Sequence, residues 1–261
     1  MRRLFLAPVL ALLFVLAAAP AAAVAQDVVF IANGSGDFRT TSEGLSCAVA
    51  AAAAPLRLET FAWSHGLGCY LSDHSDHANH VAQGRRLAAL VAECRRACPD
   101  RAVYLVGHSA GCAVVLAAAE ALPSGSVERI VLLAPSVSAG YDLRPALACA
   151  RCGIDSFYSR RDLVQLAAGV TLAGTADRRW EPAAGRVGFR PVLACPGDAA
   201  LYEKLRQHPW DGCVAWTGDH GLHYGTNRED FARAYLLPLL TRGPCAPPRI
   251  DLLRPERGGA R

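Results

Sequence analysis

The chain has 261 residues, a formal net charge of +4, and is 52% hydrophobic and 19% charged. That length fits one large domain or two small ones, and the apolar share excludes a disordered chain. Every basic residue except Lys204 is arginine, and no run of five like charges occurs, so the sequence lacks the electrostatic footprint of a nucleic-acid binder.

In chain order, Arg2 and Arg3 come first, then an apolar run from Leu4 to Ala19, then Ala23-Val24-Ala25. Charged head, apolar middle and small residues at a cleavage site are the order of a secretory signal peptide. Leu4 to Ala25 is just long enough for a membrane helix, but its alanine content and its A-x-A end favour removal. Arg2-Arg3-Leu4-Phe5-Leu6 also looks like part of a twin-arginine export signal. The expected organisation is therefore a leader over 1–25, one domain over 26–242, and a flexible Pro-, Arg- and Gly-rich tail over 243–261. The expected location is secreted or periplasmic, with no stable membrane insertion once the leader is gone.

All ten cysteines lie beyond residue 25. An even count in an exported chain points to disulfides. Cys149 and Cys152 have C-x-x-C spacing, but no second such pair accompanies them, so zinc is not expected and a local disulfide or free thiols is. Cys94 and Cys98 fall on one helical stripe with Leu87, Leu90 and Val91, and read as core.

Val28 to Ala32 is a buried strand, broken by Asn33-Gly34-Ser35-Gly36-Asp37. Ser46 to Ala54 reads as a helix stopped by Pro55. Leu56 to Trp63 is a second strand, Val81 to Ala97 a helix, and Ala102 to Val106 a third strand. Ala110 to Leu122 is a helix, with Cys112 on its inner face. Ile130 to Ala134 is a fourth strand and Ser156 to Ser159 a short fifth. Thr226 and Glu229 have capping-box spacing ahead of a last helix that turns Phe231, Ala234 and Tyr235 inward. Alternating strands and helices predict an α/β fold in three layers, with a mostly parallel sheet covered on both faces.

Gly107-His108-Ser109-Ala110-Gly111 lies between the third strand and an Ala-rich helix. A serine on so sharp a strand-to-helix turn takes strained dihedrals, so its neighbours two residues away must be small. The turn lifts Oγ clear of the sheet, and the Ala110 N–H faces the place where an oxyanion would develop. His108, inside the turn, reads as a packing or hydrogen-bonding residue.

On this motif and on the order of its elements, the chain resembles the α/β-hydrolase superfamily from about Val28 to Leu240. The resemblance implies a serine, then an acid, then a histidine in chain order, acting by acyl transfer without a cofactor. The serine is Ser109. The acid would follow the fifth strand, which puts Asp162 ahead of Asp177, with Asp142 a poorer candidate in a turn. The base would be a late histidine in a flexible loop, His223 in preference to His220. The oxyanion donors would be Gly34 or Ser35, with Ala110. A lid is often inserted between the strand after the elbow helix and the acid; only Ser136 to Asp155 lies there, so little or no lid is expected.

Asp73-His74-Ser75-Asp76-His77-Ala78-Asn79-His80 spaces three histidines by three among two aspartates, which admits a metal site. The other reading is a polar loop entering the next helix, where Asp and Asn cap. No metal is assigned. The sequence thus predicts an exported serine hydrolase of esterase or lipase type, taking a small-molecule or polymeric ester. A peptidase, an acyltransferase or a cutinase-like enzyme would use the same triad, and a catalytically silent binding module would use the same fold.

Overall fold

The computed structural model describes residues 26–163 and 174–241, together with Cys245. The expected leader, and all of the expected tail except Cys245, lie outside these residues. Six strands form one sheet: β1 (Asp27–Ala32), β2 (Leu56–Thr60), β3 (Val103–His108), β4 (Arg129–Leu133), β5 (Ile154–Tyr158) and β6 (Leu205–Pro209). Their spatial order is β2-β1-β3-β4-β5-β6. Every neighbouring pair is parallel, with Phe30 opposite Leu105 and Leu105 opposite Ile130 at the centre.

The central strands are continuous apolar runs because both of their faces are covered. Alternate residues enter two separate cores. Val28, Phe30, Leu105, Ile130 and Leu132 face one core, completed by Leu87 and Val91 of α3 (His77–Ala97) and by Val114 and Val115 of α4 (Gly111–Glu120). Val29, Ile31, Val106, Val131 and Leu133 face the other, against Leu45 of α1 (Thr40–Ala51) and a C-terminal helical stretch. That stretch runs through Glu229–Phe231, a π turn at Ala232–Leu236, and Leu237–Thr241. The three-layer α/β expectation therefore holds. Among the described residues no helix is long and apolar enough to cross a membrane.

Several boundaries differ from the sequence expectation. α1 begins at Thr40, six residues early, because Thr41, Ser42 and Leu45 already turn inward. Asp73 to His80 is not a loop: α2 (Tyr70–Ser75) occupies its first part, and Asp76 caps α3 by accepting the Asn79 N–H at 2.9 Å. Thr226 does not cap the last helix. It sits in the 3-10 turn Gly225–Asn227 with its hydroxyl buried and unpartnered among the described residues, and Arg228 stands at the cap position. Leu90, placed on the core stripe of α3, is instead 38% exposed, because the buried stripe runs through Gly84, Leu87, Ala88 and Val91.

β6 had no counterpart in the sequence reading, since Leu-Arg-Gln-His-Pro carries one aliphatic residue. It is an edge strand, and it is held by charge. Asp155 of β5, fully buried, binds Arg129 of β4 at 2.6 Å and Arg206 and His208 of β6 at 2.8 Å each. Burial alone would raise the Asp155 carboxyl. Bonds from His208 and Arg206 and the charges of Arg206 and Arg129 outweigh it and hold the group far below the usual carboxylate range. One carboxylate thus ties three adjacent strands together.

Candidate active site

Ser109 stands between the end of β3 and the start of α4 with φ at +54°, in the left-handed region. Such a conformation costs a serine roughly 1–3 kcal/mol, so the surroundings must impose it. They do: the Ser109 N–H donates to the Leu133 carbonyl at 2.9 Å, and its own carbonyl accepts from Cys112 N at 3.1 Å and Ser136 N at 3.3 Å. The turn also presses α4 against the end of β1. A Cβ on Gly111 would lie 2.3 Å from the carbonyl oxygens of Ala32 and Asn33, so no larger residue fits there.

The late loop between Thr217 and Gly225 brings in His223, which is 4% exposed. Its Nδ1 lies 2.6 Å from Asp162 Oδ2 and its Nε2 lies 2.9 Å from Ser109 Oγ. Asp162 follows β5 and is 2% exposed. With Nδ1–H donated to the carboxylate, Nε2 is left with its lone pair toward the serine hydroxyl. Ser109 is 8% exposed. The structure therefore joins Ser109, His223 and Asp162 in one hydrogen-bonded chain.

The alternatives fall elsewhere. Asp177 turns to Ser138, accepting its N–H at 2.8 Å and its hydroxyl at 2.6 Å. Asp142 pairs with Arg144 at 2.7 Å. His220 is exposed, three residues from His223. His108 lies behind the site, where its Nε2–H donates to the His223 carbonyl at 2.9 Å. Burial, with the neighbouring His223 second, pushes the His108 imidazole down to about 3, so it is neutral.

Gly34, of the expected oxyanion loop, passes so close to the elbow that a Cβ there would stand 2.9 Å from His108 Nδ1 and 3.3 Å from Ser109 Cβ. The backbone N–H groups of Gly34, Ser35 and Ala110 make no hydrogen bond among the described residues. Tyr224 meets the His223 ring edge-on at 5.1 Å, and Phe38 stacks on Tyr70 at 5.1 Å. A cavity lined by Phe157, Trp210, Phe231 and Tyr235 includes Asp162 in its wall but neither Ser109 nor His223.

The His77 and His80 rings meet edge-on at 6.3 Å, but among the described residues the histidines of α2 and α3 do not gather three ligating atoms at one point. His74 donates to the Gly174 carbonyl at 2.8 Å and His80 to the Asp73 carbonyl at 2.5 Å. Among the described residues, metal-ligating atoms of three residues gather within 4.8 Å at one place, Glu128, Cys152 and Cys245. There the Cys152 thiol donates to Glu128 Oε1 at 3.0 Å, while Cys149 lies in the core. Asp73 was not singled out as a single residue by sequence reasoning. The signal was its place in a polar segment that a helix then buries.

A six-stranded parallel sheet, a strained serine at the turn after its third strand, and an acid and a histidine from later loops define a protein of the α/β-hydrolase class. The chain belongs to the alpha/beta hydrolase family, whose model matches residues 28–256. Solved structures of similar fold include lipase B of Aspergillus fumigatus, with TM-score 0.50 and 14% identity, covering 88% of this chain and 56% of that one. A putative hydrolase of the alpha/beta superfamily from Xanthomonas campestris has TM-score 0.45 and 16% identity, covering 82% of this chain and all of that one. The catalytic core domain of acetyl xylan esterase from Trichoderma reesei has TM-score 0.38 and 15% identity, covering 72% and 83%. No curated protein matches the chain significantly.

Proposed function

We propose that this chain is a serine hydrolase of carboxylic esters, acting outside the cytoplasm. The observation that carries the reading is the bonded chain from Ser109 Oγ to His223 Nε2 at 2.9 Å and from His223 Nδ1 to Asp162 at 2.6 Å. Ser109 Oγ attacks the ester carbonyl as His223 Nε2 takes its proton. Asp162 holds the ring in the tautomer that accepts there and stabilises the imidazolium that forms. Negative charge developing on the carbonyl oxygen is met by the Ala110 N–H and by Gly34 or Ser35. His223 then returns the proton to the departing alkoxide, leaving an acyl-Ser109 ester. Water, deprotonated by the same nitrogen, attacks the acyl carbon; the bond to Oγ breaks as His223 returns the proton to Ser109, and the acid is released.

An ester asks least of this site, because an alkoxide is a far better leaving group than an amide nitrogen, which must be protonated before its bond to carbon breaks. Export rests on the charged, apolar and A-x-A order of residues 1–25. Ten cysteines beyond residue 25 fit an oxidising compartment; the expected disulfides are not formed in the structure, where all ten are thiols, and the Cys152 and Cys245 thiols lie within 4.8 Å of one another. The test is turnover of nitrophenyl esters of graded acyl length beside matched anilides, for the wild-type protein and Ser109→Ala. The proposal expects ester hydrolysis that Ser109→Ala abolishes. Full activity in the variant, or cleavage of anilides ahead of esters, contradicts it.

A further inference from the structure

Asp73 of α2 is fully buried, and its carboxylate accepts four hydrogen bonds. Oδ2 takes the Gly36 N–H at 2.6 Å and the Ser64 hydroxyl at 2.5 Å. Oδ1 takes the His65 backbone N–H at 2.8 Å and lies 2.9 Å from His65 Nδ1. Ser64 and His65 belong to the loop after β2, and Gly36 to the loop after β1. Burial alone would raise the carboxyl. The bond from Ser64, then those from the His65 and Gly36 N–H groups, overcome it and keep the group ionised.

The loop after β1 is pinned at both ends. At its start, the Asn33 carbonyl accepts the Trp63 indole N–H at 2.9 Å, and the Asn33 side chain exchanges hydrogen bonds with Ser42 at 2.8 and 3.1 Å. At its end, Gly36 is held by Asp73. Between the pins lie Gly34, in contact distance of the elbow, and Ser35. A donor that stabilises an oxyanion must already be aimed before charge develops, since any reorganisation during reaction is lost catalysis.

We propose that Asp73 is a positioning residue: by holding the Gly36 N–H it keeps the Gly34–Ser35 backbone aimed over Ser109 as an oxyanion donor. This rests on the serine-hydrolase reading above. Only a carboxylate serves, because four donors converge on its two oxygens. An asparagine has one acceptor oxygen, so its amide nitrogen would face two of those donors, whichever way it turned.

The experiment compares wild type with Asp73→Asn, each counted by active-site titration with a fluorophosphonate. It measures p-nitrophenyl acetate turnover and inhibition by a trifluoromethyl ketone, which becomes tetrahedral and anionic at the serine. The expected result is a kcat per titrated site lower by about tenfold to a hundredfold with KM nearly unchanged, and inhibition weakened in proportion. A structural role alone would lower the melting temperature and the titrated fraction, while leaving kcat per site and inhibition at wild-type values. That result overturns the proposal. If Asp73→Asn does not fold, Ser64→Ala decides. It removes one donor to Oδ2, and a loss of about twofold to tenfold in kcat per site is expected; an unchanged kcat overturns the proposal. A wild-type protein that neither titrates nor turns over ester fails the serine-hydrolase reading itself, whereas an active wild type with unaltered variants fails only the role of Asp73.

Discussion

His108 donates its Nε2–H to the backbone carbonyl of His223, 2.9 Å away. The elbow and the late loop are thereby tied through a histidine that must stay neutral. Burial first, and His223 second, push His108 down to about 3 from an ordinary 6.5. Between those values the unfolded chain holds the proton and the folded chain does not. The stability linked to His108 is therefore complete above pH 6.5 and declines as pH falls toward 3. The slope approaches about 1.4 kcal/mol per pH unit for this one group. Urea midpoints of wild type and His108→Gln across this range check it. The wild type should lose stability more steeply on acidification; parallel curves would contradict the assignment.

Gly34 has no room for a side chain, with His108 Nδ1 2.9 Å and Ser109 Cβ 3.3 Å from where a Cβ would sit. Gly34→Ala must push the loop away from the serine. Ester turnover per titrated site should fall about a hundredfold to a thousandfold, the scale of losing one oxyanion donor. Titration combined with steady-state kinetics separates this from a loss of folded protein.

Asp162 and Asp177 give opposite results. Asp162→Asn breaks the tautomer control at His223 and should cost about 10²–10⁴ in kcat. Among the described residues Asp177 bonds to Ser138, away from the triad, and the kcat per folded molecule of Asp177→Asn should stay within about twofold of wild type on the strength of that separation. Equal losses in the two variants would reassign the acid.

The contrast also shows how much of the site could be read from the chain. Ser109 was legible because an elbow is local: small residues two positions away, an apolar strand before and an Ala-rich helix after. Asp162 and His223 could be narrowed only to two or three candidates each, since their contact spans 61 residues and that with Ser109 spans 114. No local pattern encodes such a distance. The central strands were equally plain, being apolar on both faces. β6 was not, because Arg206 and His208 owe their place to Asp155, a partner from a different strand.

Asp155 is itself testable. Asp155→Asn leaves Arg129, 2% exposed, without its counter-charge. Breaking one side of a buried pair costs about 3–5 kcal/mol, and chemical denaturation should show a loss of that order. Turnover per titrated site should be retained, because Asp155 touches none of Ser109, His223 or Asp162 among the contacts described.

The most direct test of the account is covalent labelling. Purified protein is treated with a fluorophosphonate beside Ser109→Ala and His223→Ala, and the adduct is located by peptide mass mapping. Only a serine activated by a neighbouring base reacts at a useful rate. The account predicts one adduct, on the peptide carrying Ser109, absent from both variants. Folded wild-type protein that takes no label, or takes it at another serine, would contradict it.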